Sequence, residues 1–134
     1  MRVMLDTNII ISAAFFPNGV AAKFCRLVLS RHQVFVSSYS LGEAGDVVRR
    51  KFRGNERVLD AFMENAGILT VKTPEKFDGM LMPHIRDMDD WPVLASAMKT
   101  NMDVLVTGDK DFDSIEITRP KIMTIAAFTE HFLR

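Results

Sequence analysis

The amino-acid sequence predicts an α/β fold: a mainly parallel five-stranded sheet with helices on both faces. Three observations carry that expectation. Short β-prone runs alternate with helical patterns along the chain. The helical segments run to roughly ten to thirteen residues, a length that suits right-handed crossovers between parallel strands. No repeat, low-complexity tract or linker interrupts the alternation, so the 134 residues are expected to form a single domain, 1–134.

Taken in order, residues 2–5 are a short β-prone run, and 19–31 place Val20, Phe24, Leu27 and Val28 at helical spacing with Lys23, Arg26 and Arg31 between them. No helix is evident directly after Asp6; the chain is expected to leave the core there and re-enter it at 9–11. Residues 33–37 (QVFVS) repeat the strand signal. Ser40 followed three residues later by Glu43 reads as a capping box that opens a helix to about Phe52. A further helix is expected at 55–65, stopped by Gly67, then a strand at 68–71 (ILTV) and a brief helix at 74–81. Residues 80–85 are ambiguous. Asp90-Trp91-Pro92 reads as an N-cap with proline in the first turn, leading a helix through Thr100. Strands at 103–106 and 122–125 and a closing helix at 126–133 complete the pattern.

Composition narrows the classes. With 48% hydrophobic and 25% charged residues the chain is expected to be globular, not disordered. Seventeen basic and seventeen acidic side chains cancel, so any nucleic-acid partner must be argued from local features. The one cysteine, Cys25, falls in an apolar helical pattern and is expected to be a buried thiol, in keeping with a reducing, cytoplasmic setting. No apolar stretch is long enough to span a bilayer, so no membrane association is expected. His32, His84 and His131 are dispersed without zinc-ligand spacing, and Met80, Met82 and Met88 read as core filling or a contact surface.

In a parallel sheet, ligands bind outside the carboxyl ends of the strands, near the point where strand order reverses. Asp6 directly follows the first strand, and Asp109 follows the VLV strand after Thr107 and Gly108. Glu43 lies early in the helix after the second strand, and Asp90 begins the helix that precedes 103–106. Thr7 and Asn8 are short polar groups able to hold the first carboxylate by hydrogen bonds. Each acid also has a plain alternative: capping box for Glu43, N-cap for Asp90, turn residue for Asp109. Asp6 is the hardest to explain that way, because a polar trio between buried segments is costly. Four carboxylates at one edge repel, and a divalent cation resolves the conflict; hard oxygen ligands suit Mg2+ or Mn2+. The reaction class this implies is metal-assisted phosphodiester hydrolysis. Asp87 and Asp111 could be outer-shell groups, while Asp89 and Asp113 read as solvated loop residues. Arg49, Arg50, Lys51 and Arg53, with Arg57, form the clearest basic patch.

The stretches LDTNIIISA, DMDDWPVLASA and VLVTGDKDF, with Glu43 in the second helix and RPKIMTIAAFTEHFL at the end, resemble the PIN-domain family, specifically the small proteins similar to VapC-type toxins. The resemblance covers nearly the whole chain. It implies a three-layer α/β/α fold and a metal-dependent ribonuclease acting on single-stranded RNA. Matched to the family's four acids are Asp6, Glu43, Asp90 and Asp109, with Thr7, Asn8 and Thr107 as supporting polar residues. It further implies a small antitoxin that covers the site and a homodimer. Trp91 is bulkier than expected after the third acid, where it would crowd the site or offer a base-stacking surface. Two other phosphoryl-chemistry families fit less well. A haloacid-dehalogenase-like phosphatase needs an aspartate where Asn8 stands, and a receiver-like domain needs paired acids earlier in the chain, with Lys110 its one point of agreement. A catalytically inert PIN-like module that binds RNA or protein is the alternative from another class.

Overall fold

The computed structural model describes residues 1–75, 90–109, 112 and 117–133. Five strands, β1 (Arg2–Leu5), β2 (Gln33–Ser37), β3 (Leu69–Val71), β4 (Val104–Val106) and β5 (Lys121–Met123), form one sheet in the order β3-β2-β1-β4-β5. Every neighbouring pair is parallel. Between and after them lie α1 (Thr7–Phe15), α2 (Val20–Arg31), α3 (Ser38–Lys51), α4 (Glu56–Ala66), α5 (Trp91–Lys99) and α6 (Ile125–Phe128), the last continuing as a π-helical turn, Thr129–Leu133.

The layers follow from the two-residue period of the strands. Val3 pairs with Val34 and Val104, and Met4 with Phe35 and Leu105, so odd and even positions of β1 point to opposite faces in step with their neighbours. Val3, Leu5, Val34, Val36, Val104 and Val106 join one core with residues of α1, α2, α3, α4 and α6. Met4, Phe35 and Leu105 join a second core with Val93, Leu94 and Ala97 of α5. β1 from Val3 to Leu5 and all of β4 are therefore apolar, as central strands buried on both faces must be. Connections that run from β1 outward to β3 lie on one face, and α5, which brings the chain back to β4 on the other side of β1, lies on the opposite face. Right-handed crossovers in two opposite directions require that division.

Several local expectations change. A helix, α1, does begin directly after Asp6, and Asp6 is its N-cap, with one side-chain oxygen accepting from the Thr7 N–H. The apolar triple at 9–11 had read as re-entry into the core; it is the buried face of this helix, too uniformly apolar to show a helical period. The capping box is also displaced. Ser37, not Ser40, caps α3, its hydroxyl accepting from the Ser40 N–H at 3.0 Å, because β2 passes into the helix without a loop. Gly67 ends α4 in the left-handed conformation, φ +79°, as the sequence reading requires of a glycine stop. The expected brief helix at 74–81 lies outside the described residues from 76 onward, as do 80–85.

At the amino edge of the sheet, Asp103 accepts from the Arg2 N–H (2.8 Å) and from the Arg119 guanidinium (3.0 Å). The Arg2 guanidinium lies 4.5 Å from the Phe35 ring centroid. These contacts hold β1, β4 and the approach to β5 in register at the end away from the carboxylates.

Leu105 is fully buried in a central strand, whereas Leu69 is 54% exposed on the edge strand. Leu105→Ala is expected to cost about 2–5 kcal/mol of stability, and Leu69→Ala less than about 0.5 kcal/mol, both read from urea unfolding midpoints. Equal losses would contradict the two-sided burial of the central strands.

Candidate active site

Strand order reverses at β1 and β4, and the site is built where these two strands end. Leu5 pairs with Val106, so the next residues, Asp6 and Thr107, leave the sheet side by side. The Asp6 N–H donates to Val106 O (3.1 Å) and the Thr107 N–H to Met123 O (2.9 Å), which extends the ladder one residue past the strands and fixes both side chains on a rigid base.

From that base a run of hydrogen bonds joins three carboxylate residues. The Thr107 hydroxyl donates to Asp6 Oδ2 (2.7 Å) and accepts from the Asp109 N–H (3.0 Å). The Thr7 N–H donates to Asp6 Oδ1 (2.8 Å), and the Thr7 hydroxyl donates to Glu43 Oε1 (2.6 Å). Two threonines thus place Asp6 between Glu43 and Asp109. Both are buried, as is Asp6 itself, at 8% exposure. Thr7 does the positioning that the sequence assigned to Thr7 and Asn8 together; Asn8 is exposed and lines a neighbouring cavity.

Burial raises the Asp6 pKa above its ordinary value of 3.8, the hydrogen bonds from Thr107 and Thr7 pull it back, and the charges of Glu43 and Asp109 push it up again. The N-terminus of α1 contributes partial positive charge at the same place. The site therefore concentrates negative charge on a carboxylate that is only partly compensated by its neighbours.

Asp90 stands at the N-cap position of α5, on the same edge of the sheet, but its side chain makes no capping bond. Two causes act together: its backbone is helical (φ −84°, ψ −12°), and Pro92, two residues on, has no N–H to give. Glu43 and Asp109 are carboxylates whose charges act on Asp6. Trp91 is half-buried and packs on the α5-side core. Asp87, Asp89, Asp111, Asp113, His84, Lys110 and the methionines at 80, 82 and 88 lie outside the described residues. Arg49, Arg50 and Lys51 are exposed at the far end of α3, about 9–12 Å along the helix axis from Glu43. Arg49 pairs there with Asp46, and Arg53 follows the helix, exposed. The basic patch and the carboxylates are not brought together.

Sequence reasoning missed the cavity that adjoins the carboxylates. It has a volume of about 700 Å3 and is lined by Asn8, Ser12, Val20, Gly108, Ile125 and Glu130, among others. Asn8 and Gly108 are chain neighbours of the two threonines, so cavity and carboxylates share a rim. Only the tertiary fold joins α1, α2 and α6 around it, and no spacing in the sequence marks it. Cys25, by contrast, is buried with its thiol pushed up to about 11, as a core cysteine should be.

Among the described residues, no three His, Cys, Asp or Glu side chains form a ready-made metal cage. The donor chemistry still fits a hard divalent cation: the carboxylates are oxygen donors, and mutual repulsion acts on the buried one. Mg2+ in particular is bound through one or two carboxylates while it keeps several waters.

Asp6 holds its proton to higher pH in the folded chain than in the unfolded one. The stability gained from protonation is therefore present below pH 3.8 and is lost as pH rises through the raised folded value. Asp6→Asn is expected to be more stable than the parent at pH 7, with the advantage shrinking toward pH 4, in urea unfolding across that range without added metal. Equal stability at every pH would contradict this electrostatic account.

The comparisons with known proteins agree with this architecture. A protein-family model described as PIN domain matches residues 2–111. An uncharacterised protein of Methanocaldococcus jannaschii is 32% identical over 124 residues, covering 86% of this chain and 75% of that protein. The fold is similar to that in the crystal structure of VapBC2 from Rickettsia felis bound to a DNA fragment from their promoter. There the TM-score is 0.67 at 18% identity, over 92% of this chain and 97% of that one. It is also similar to Mycobacterium tuberculosis VapC20, described as a Sarcin-Ricin loop cleaving toxin, with a TM-score of 0.58 at 16% identity over 84% and 93% of the two chains. A structure of FitAB bound to the IR36 DNA fragment matches with a TM-score of 0.56 at 22% identity over 92% and 94%. With a parallel five-stranded sheet, helices on both faces and an acid at the end of its first strand, this chain belongs to the PIN domain family.

Proposed function

We propose that this chain is a metal-dependent endoribonuclease that hydrolyses phosphodiester bonds of single-stranded RNA, and that it is the toxin of a toxin–antitoxin pair. The observation that carries this reading is the hydrogen-bonded run from Glu43 through Thr7, Asp6 and Thr107 to Asp109 at the strand-order reversal. Similarity in fold to a toxin described as cleaving the sarcin–ricin loop supports RNA as the substrate class.

Asp6, Glu43 and Asp109, joined by Asp90 from the start of α5, would hold Mg2+ or Mn2+. Such an ion, when bound, supplies positive charge against the phosphate and lowers the pKa of a coordinated water. The protein's own residues do the rest. Thr107 orients Asp6 with its hydroxyl bond, which also favours the charged carboxylate against burial, and Thr7 orients Glu43 through its hydroxyl while its N–H holds Asp6. Asp109 is tied to Thr107 through its backbone, so the fourth acid moves with the first. Asp87 and Asp111 would act as outer groups. The exposed Arg49, Arg50, Lys51 and Arg53 would receive the RNA backbone where it leaves the site.

The partnering reading rests on the family and on the fold shared with the VapBC2 and FitAB assemblies. A small antitoxin would seat an apolar segment in the groove between α1, α2 and α4. Ala13, Ala22 and Leu29 line that groove and Val58 lies exposed at its edge. We place the protein, as a homodimer, in the cytoplasm; no single helix among the described residues is long and apolar enough to cross a membrane.

The experiment is cleavage of a mixed single-stranded RNA pool with Mg2+, Mn2+ or EDTA. Cleavage is expected with metal and not with EDTA, and Asp6→Asn or Asp109→Asn should abolish it with the fold intact by circular dichroism. No cleavage under any metal by folded, partner-free protein would replace the nuclease with an inert binding module. Thr107→Val is expected to raise the metal concentration for half-maximal cleavage about 10–100-fold, and Thr107→Ser to restore it. An unchanged metal requirement would remove Thr107 as a positioning residue.

A further inference from the structure

We propose that Thr73 is a positioning residue: a strut of hydrogen bonds through its hydroxyl fixes the start of α5, and Asp90 with it, against the helix that carries Glu43, a role that rests on the metal-site reading and extends it to the fourth acid. The strut begins at α3. The first N–H groups of a helix have no partner within it. In α3 the Ser40 N–H is taken by Ser37, and the Tyr39 N–H donates to the Thr73 hydroxyl oxygen at 3.1 Å, 34 residues away in the chain. Thr73 returns the bond, its own N–H donating to the Ser38 hydroxyl at 3.0 Å. The chain just past β3 is thereby locked onto the first turn of α3.

From Thr73 the strut crosses to α5. Ser96 is fully buried between Ala95 and Ala97, its hydroxyl oxygen 2.9 Å from Thr73 Oγ1 and 2.7 Å from the Pro92 carbonyl oxygen. Each hydroxyl has one proton, so both contacts are satisfied when Thr73 donates to Ser96 and Ser96 donates to Pro92. A serine inside a helix gains little by bonding back to its own preceding turn. Here that bond carries the strut into the first turn of α5, two residues from Asp90. Tyr39, Val71 and Trp91 pack against the same core as α5. Apolar packing is non-directional and lets a helix slide, whereas a file of hydrogen bonds fixes its position.

The consequence lies at the carboxylates. Thr7 ties Glu43 to Asp6, and Thr107 ties Asp6 to Asp109. Asp90 stands on a different helix, makes no capping bond there, and lies about 9 Å along the axis from Ser96. By joining that helix to α3, the strut sets all four acids on one framework.

The test has two arms, both on the full chain: amide hydrogen exchange without metal, and Mn2+ binding followed by electron paramagnetic resonance of the free ion. The variants are Thr73→Val, Thr73→Ser and, as a control, Thr100→Val, which removes a hydroxyl bond at the other end of α5. Thr73→Val is expected to speed exchange at Tyr39, Ala95, Ser96 and Ala97 about tenfold and to weaken Mn2+ binding about tenfold. Thr73→Ser should keep both near the parent, and Thr100→Val should leave Mn2+ binding unchanged. In an Asp90→Asn background, Thr73→Val should weaken Mn2+ binding no further, because the two changes act through one group. Unchanged exchange in Thr73→Val overturns the strut. A further loss of Mn2+ binding in the Asp90→Asn background, or an equal loss in Thr100→Val, overturns positioning through Asp90. Parent protein that binds no Mn2+ while exchange responds as expected upholds the strut on α5 and overturns the metal-site reading instead.

Discussion

The hydrogen bond from the Thr107 hydroxyl to Asp6 joins the ends of β1 and β4, and the candidate site is organised around it. Asp6 is buried where desolvation and two neighbouring carboxylates disfavour its charge. A carboxylate in that position stays useful only if donors hold it, and the fold supplies them from both sides: a threonine hydroxyl across the sheet, the next residue's N–H, and the N-terminus of α1. Thr107 serves a second acid as well, since its oxygen accepts from the Asp109 N–H. One side chain thereby sets the spacing of two acids that repel each other.

Such an arrangement needs a base that does not yield, and the sheet provides it. The paired register of β1 and β4 places Asp6 and Thr107 level, and two cores on opposite faces press on the same strands. At the other edge Asp103 takes hydrogen bonds from Arg2 and Arg119, and the Arg2 backbone bond in particular holds its carboxyl below the usual aspartate value. The contrast between the two edges is informative. Asp103 is compensated by donors and cations and ties the scaffold together, whereas Asp6 is crowded by carboxylates at the candidate site.

Membership of the PIN domain family accounts for the fold, and structures sharing less than a quarter of the sequence repeat it. What the family likeness does not describe is the ground beside the acids. There the chain builds an aliphatic cavity with a carboxylate in its lining, a chemistry opposite to the basic patch at the far end of α3.

The sequence by itself determined the strand–helix alternation, the parallel sheet and the edge on which the acids gather, because burial on both faces forces apolar runs and chemistry-bearing residues fall where those runs stop. It misread the turn after Asp6 and the cap of α3, since in both places a strand passes into a helix without a loop, and punctuation is what local patterns detect. Only the tertiary structure decided that Thr7 holds Glu43, that Thr107 serves Asp6 and Asp109 together, that Asp90 is not used as a cap, and that a cavity adjoins them. Those facts depend on residues 36 and 101 positions apart meeting at one edge, a separation no local spacing encodes and which the register of β1 on β4 and the packing of α1 on α3 impose.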